Sequence, residues 1–305
     1  MSEARFKLLV APPAIVSSAI LVLLFIVLLY YSLPAIREYG LGLLASPTWK
    51  PVEGAPGEYG LLIPLAGTLV SAVIAVLLAM PLALASVVFT EEILPRGLHR
   101  WREAFVSMID VMTGLPTIVY GLWGAAVLAP LLGDTLYKWL HSSLSFIPLF
   151  SCQPTTGNTI LTAGVLLAIM ITPFIYAVVR ESYRQIPRTY KEAALSLGTT
   201  RYEYVRIMMG MAKPAILAGA LIGFGRAAGE TVAVALVVGN TFNMPSCLLA
   251  PSYTVSSLIA NQFANAQLYP LMLNVLVSGG LILLLIGIAS NILGIMYLRR
   301  VRYVA

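Results

Sequence analysis

The chain has 305 residues, 59% of them hydrophobic and only 10% charged, where a soluble domain carries roughly 25% charged residues; so depleted a chain cannot clothe a water-facing globule, and its surface must meet lipid. The apolar residues fall in long unbroken runs rather than in alternating segments of about ten residues, which excludes a membrane barrel and leaves helices, which satisfy their own backbone in hydrocarbon. The net charge of +6 gathers at the ends of those runs without interleaved aromatic residues, unlike a nucleic-acid surface, and two cysteines provide neither a disulfide framework nor a zinc cluster.

A crossing needs about 20 apolar residues. Six runs reach that length, 14–33, 62–90, 104–132, 159–179, 214–239 and 270–298, which predicts an all-α integral membrane protein of six spans. The first run follows Arg5 and Lys7 and reads as a retained helix, with a cleaved signal peptide as the alternative. With the external loop after it, this helix forms an N-terminal part, 1–61, ahead of a core of five spans, 62–305. Lys and Arg divide unevenly among the gaps: Arg37, Lys50 and Lys138 stand on one side, Arg226 lies inside a span, and the rest of the 19 stand on the other side. Basic residues stay in the cytoplasm, so both termini are expected there, as an even number of crossings requires.

In the third run Asp110 sits near the cytoplasmic end, and Thr113, Thr117 and Tyr120 follow on nearby turns; their hydroxyls could serve a passing anion or bond within the bundle. Cys152 and Cys247 fall in external gaps, where disulfides persist, and are either bridged or two free thiols. His99 and His141 stand on opposite sides and cannot share a metal. No Gly-x-x-x-x-Gly-Lys-[Ser/Thr] loop occurs, so this chain does not hold ATP by that route. No cofactor is implied.

The gap between the fourth and fifth runs, about 181–213, is the most informative. Thr189 with Glu192, and Thr200 with Glu203, have capping-box spacing, and Gly198 between them is a helix stop. The first of the two short helices presents Ala193, Ala194 and Ser196, small side chains that let a soluble partner approach closely. Glu192 caps its own helix, defines a docking surface, or does both.

The fifth run carries Arg226 near its midpoint and Glu230 one turn on. A charge at that depth costs about 3 kcal/mol even on lenient scales, and the i, i+4 spacing predicts that the two side chains meet on one helix face. Such residues line a water-filled path or clamp helices together. For an anion, arginine supplies a permanent charge and a planar donor fork, and a nearby carboxylate could accept a hydrogen bond from a protonated oxyanion. Gly219, Gly223, Gly225 and Gly229 add the spacing of close helix packing.

Glu192-Ala193-Ala194, three residues and Gly198 resemble the EAA loop of ATP-binding-cassette (ABC) importer permeases, in which this segment is the coupling helix docked into an ATPase. Gly210-Met211 stand where that family usually has Leu-Pro, with Pro214 the nearest proline. Gly225-Arg226-Ala-Ala-Gly229-Glu230-Thr231, Gly239-Asn240, and Leu115-Pro116-Thr117-Ile118-Val119-Tyr120-Gly121-Leu122-Trp123-Gly124 are similar to the permeases of phosphate importers, the PstC type more than the PstA type. The likeness covers about 61–266. It implies the MetI-like type I permease fold, a non-catalytic subunit in the plasma (inner) membrane, and a role for Arg226 and Glu230 in phosphate passage; Thr117 and Tyr120 join that expected pathway by their place on the third run. It further implies a PstA-type permease partner, two cytoplasmic ATPases docked at Glu192, Ala193, Ala194 and Gly198, an extracytoplasmic phosphate-binding protein, and surrounding lipid. Other oxyanions (molybdate, tungstate, sulfate) and a secondary anion transporter are the rival readings.

Overall fold

The computed structural model describes residues 3–94 and 99–299 and, of residues 3–10 and 99, the backbone alone; the side chains of Arg5, Lys7, His99, Arg96, Arg300 and Arg302 lie outside the described residues. Five helices are long and apolar enough to cross a membrane, and a sixth span follows if the helices Arg201–Met211 and Lys213–Gly229, bent by 62° at their junction, form one. The chain divides into two compact units, Met1–Leu62 with Asn261–Ile282, and Ile63–Ala260 with Leu283–Ala305.

In the first unit, α1 (Glu3–Tyr39) is followed by a one-turn helix α2 (Gly42–Ala45) and a short antiparallel pair, β1 (Trp49–Lys50) and β2 (Glu58–Tyr59). The Tyr59 ring is the core of this corner, edge-on to Tyr39 and Trp49 at centroid distances of 5.9 and 5.0 Å. Burial, with the nearby Tyr39 and Tyr269, pushes the Tyr59 hydroxyl up to about 12. Gly60 is obligatory here because a Cβ would lie 2.0 Å from the Ser46 carbonyl oxygen. Asn274 donates to the Tyr31 carbonyl at 2.8 Å and ties the later segment to α1.

The second unit is built around α6 (Ile160–Arg184), two-thirds buried within it. Against α6 lies α3 (Leu62–Val88), whose fully buried Ala72, Ala75, Ala79 and Ala83 form a small-residue stripe, the pattern that lets membrane helices approach closely. α9 (Lys213–Gly229) packs on α6 through Gly219 and Gly223, where an added Cβ would meet Ile175 at 3.3 and 3.1 Å. The remaining helices are α4 (His99–Gly114), α5 (Thr117–Leu144, with two π-helical turns), α7 (Arg188–Ser196), α8 (Arg201–Met211), α10 (Val232–Val237), α11 (Val255–Gln262) and α12 (Met272–Leu298).

Two expected spans differ in detail. The run 104–132 is not one helix: α4 ends at Gly114, the chain breaks at Leu115–Pro116, and the long apolar helix is α5. Proline has no N–H to offer the carbonyl four residues back and disfavours helix at the residue before it. The Tyr120 hydroxyl donates to that carbonyl, Met112, at 2.9 Å and replaces the missing bond. The run 214–239 is also interrupted. α9 ends at Gly229, Glu230 is extended at φ −69° and ψ 132°, and α10 begins at Val232. The Glu230 carbonyl, released from the helix, accepts the Ser256 hydroxyl at 2.6 Å.

At one end of α6, the Thr159 hydroxyl caps the helix by accepting the Thr162 N–H at 3.2 Å, and the N–H groups of Ile160 and Leu161 reach the carbonyls of Ala250 and Leu248. The Cys152–Cys247 disulfide, Cα–Cα 6.2 Å, joins the loops at this same end. Gly239 and Asn240 close α10: Gly239 has φ +88°, and Asn240 donates its side-chain N–H to the Ala235 carbonyl at 2.7 Å.

Candidate functional site

The interrupted helix places Arg226 in the last turn of α9, exposed on the surface of this chain. Its guanidinium lies 3.8 Å from the centre of the Phe174 ring of α6, a cation–π contact. The expected pairing with Glu230 does not form: among the described residues no ion pair joins them, because the helix that would align positions i and i+4 ends between the two. Glu230, half-buried, is held through its backbone by Ser256 rather than through its carboxylate. Non-helical backbone within a spanning segment is tolerated where protein or a water-filled cavity surrounds it.

Thr117 and Tyr120 belong to α5, which packs on the helix that follows Glu230. A Cβ at Gly121 would lie 2.9 Å from Ala233 Cα, and one at Gly124 would lie 3.1 Å from Val237 Cγ1. The Tyr-Gly-x-Trp-Gly segment is therefore a contact surface whose glycines let α10 approach. Thr117 is half-buried, whereas Tyr120 is buried with its hydroxyl proton committed to Met112, so no hydrogen bond or ion pair links either residue to Arg226 among the described residues.

The segment after α6 has the two expected short helices. α7 starts at Arg188 with Pro187 as its N-cap, so the Thr189–Glu192 box does not form; Thr189 already lies inside the helix. Gly198 ends it at φ +71°, and the Thr200–Glu203 box opens α8 with both reciprocal bonds present. Glu192 and Ala193 are exposed, while Ala194 turns inward at 6% exposure. Leu195, Leu197 and Tyr202 stand out from the same segment, 58%, 82% and 75% exposed, a small apolar surface suited to a cleft on another protein.

What the sequence did not announce is the anchor of this segment. α3 runs on through a π-helical turn, Phe89–Ile93, and three consecutive residues of it address different elements. Thr90 accepts the Tyr176 hydroxyl of α6 at 3.2 Å. Glu91, its side chain 8% exposed, takes Arg180 Nε of α6 on one carboxylate oxygen at 2.7 Å and Arg102 of α4 on the other. Glu92 accepts the Tyr183 hydroxyl at 2.7 Å and the Tyr204 hydroxyl of α8 at 3.4 Å, and has Lys191 of α7 at 3.9 Å; its backbone carbonyl also accepts Arg201 of α8. The carboxylate pair thus fastens the short helices to the end of a spanning helix. A π turn inside a helix often marks a functional position.

Among the described residues no group of His, Cys, Asp and Glu is placed to hold a metal ion. The features that stand out are a spanning helix interrupted beside an unpaired arginine, and a short surface helix clasped to the bundle at the basic end of α6. Residues 96–303 match the family described as binding-protein-dependent transport system inner membrane components, and the chain belongs to that family: it is a multi-pass inner-membrane permease, a non-catalytic component of systems that work with an ATPase and a binding protein. Among named relatives, the chain is 47% identical over 299 residues, 98% of this chain and 94% of the relative, to a probable phosphate transport system permease protein PstC of Methanocaldococcus jannaschii. It is 39% identical over 236 residues, 76% of this chain and 71% of the relative, to the phosphate transport system permease protein PstC of Xylella fastidiosa. A solved chain of an inward-facing MetNI methionine ABC transporter superposes with a TM-score of 0.49 at 18% identity, covering 78% of this chain and 94% of that one.

Proposed function

We propose that this chain is the permease subunit through which an ABC importer passes inorganic phosphate into the cytoplasm. The observation that carries the reading is Arg226: a permanent cation in a spanning segment, exposed on this chain, with no carboxylate partner among the described residues and a helix break four residues on. An uncompensated charge at such depth needs its counter-charge from outside the chain. A passing oxyanion, sheltered by a second permease of the PstA type, supplies it. Leaving Arg226 without a fixed carboxylate keeps its donor fork free for phosphate, and Phe174 holds the fork flat. Glu230 and Thr117 lie along the same route. Tyr120 supports it by holding the break at Pro116.

Two ATPase subunits dock at the surface of Glu192, Ala193 and Leu195, and a soluble phosphate-binding protein delivers from the other side. α6 supports the orientation. One of its ends carries Arg180 and the neighbouring cluster of Arg102, Lys191 and Arg201, and the other is held by loops that share a disulfide. Basic residues belong to the cytoplasm and disulfides to the oxidising side, which supports a cytoplasmic Arg180 end of α6; with an even number of crossings, both termini are cytoplasmic in this reading.

The test is uptake of labelled phosphate by the whole importer in proteoliposomes. Arg226→Gln lowers uptake by at least about tenfold, a loss of one charge-assisted contact, while the partner ATPase still co-purifies. Unlabelled phosphate competes in the wild type, whereas molybdate and sulfate compete poorly. Uptake in Arg226→Gln at the wild-type rate refutes the role of the arginine, and equal competition by sulfate refutes the substrate.

A further inference from the structure

Beside the clasp, on the same end of α6, Arg102, Glu103, Val106, Ser107, Arg180 and Arg184 line an open cavity of ≈ 250 Å³. The residues come from two helices with one face each: positions 102, 103, 106 and 107 of α4, and 180 and 184 of α6, one helical turn apart. Each guanidinium carries five N–H donors. Arg102 and Arg180 each give one to Glu91, and the rest of both forks, with the whole of Arg184, meet no acceptor among the described residues. The two paired arginines are also mostly withdrawn from solvent, 32% and 20% exposed at the side chain. Isolated basic residues at a membrane face are solvated one by one. Here two are fixed by a shared carboxylate and converge with a third on a concave space. Among the described residues that line the cavity, Glu103 is the one carboxylate, and it is exposed.

We infer that this cavity is an oxyanion site that receives a phosphate group. The arginine forks match tetrahedral oxygen geometry, Ser107 adds a hydroxyl, and Glu91 sets the angle of two forks before any ligand arrives, so little ordering is left to the binding step. The phosphate can come from free inorganic phosphate or from the diester of an anionic lipid headgroup, which basic pockets between helices at the cytoplasmic face recognise. The site is separate from Arg226 and does not depend on which anion is transported.

The experiment uses the whole importer complex without nucleotide or binding protein. In nanodiscs of phosphatidylcholine alone it is titrated with labelled inorganic phosphate; in discs containing phosphatidylglycerol, retained lipid is read by native mass spectrometry. Arg184→Gln leaves the Glu91 bonds untouched and weakens one of these two signals by about tenfold, while Arg184→Lys keeps it within about threefold. The comparison is repeated in an Arg226→Gln background, which removes the pathway arginine; persistence of the Arg184 effect there separates this site from phosphate held in the pathway. Loss of phosphate binding in phosphatidylcholine identifies free phosphate as the ligand, and loss of retained phosphatidylglycerol identifies the headgroup. If Arg184→Gln disturbs assembly, Ser107→Ala repeats the measurement on the opposite wall. Phosphate and lipid signals that both survive in an assembled variant overturn the inference.

Discussion

Arg226 and Tyr120 are alike in the sequence, each a polar group on an apolar helix, but their surroundings separate them. Arg226 is exposed, with the Phe174 ring against its guanidinium; Tyr120 is buried and donates to a carbonyl that proline left without a partner. Removing the Tyr120 hydroxyl should therefore act on stability. Tyr120→Phe leaves the Met112 carbonyl unsatisfied at a cost of about 1–3 kcal/mol, seen as a lower unfolding temperature in detergent, with uptake per assembled complex unchanged. A Tyr120→Phe protein of full stability that fails to transport would restore the hydroxyl to the pathway. The reading of Tyr120 and Thr117 as pathway hydroxyls came from their spacing alone. Spacing does not reveal that Pro116 would claim one of them, although the Pro116 and Tyr120 pair, four residues apart, contains the signal.

At the scale of the elements, glycine decides which helices touch. Gly121→Ala puts a Cβ 2.9 Å from the backbone of α10, where rotating a side chain cannot relieve the contact. The expected cost is about 1–3 kcal/mol, measured by thermal unfolding, whereas Gly114→Ala, with nothing within 4 Å of the added atom, should be neutral on packing grounds. Much of this level could be read from residues. Apolar runs mark the spans because a bilayer demands length, and Gly198 and the Thr200–Glu203 box mark helix ends because their chemistry is local. The interruption at Glu230 escaped the pattern, since apolar and small residues stand on both sides of it and the residue that stabilises the break, Ser256, is 26 positions away in the chain. The clasp escaped for the same reason. Glu91 and Glu92 after an apolar run look like a solvated helix end, and their partners Arg180, Tyr183 and Tyr204 stand 89 to 112 positions away.

For the whole molecule, α6 links two chemically different ends. The disulfide closes a sequence separation of 95 residues. In the chain-entropy account such a closure stabilises by at most about 4–5 kcal/mol, and a chain already confined to a bilayer when unfolded should gain less. The double variant Cys152→Ser, Cys247→Ser is expected to unfold at lower temperature, and reductant should lower the unfolding temperature of the wild type but not of the variant. At the opposite end, the Phe89–Ile93 turn binds the short surface helices to a spanning helix from a distant part of the chain. This bears on protein engineering. Residues 181–213 do not form an interchangeable cassette, and a chimera that imports this loop from a relative must bring residues compatible with Glu91 and Glu92 or receive a graft that is correctly folded yet mechanically adrift.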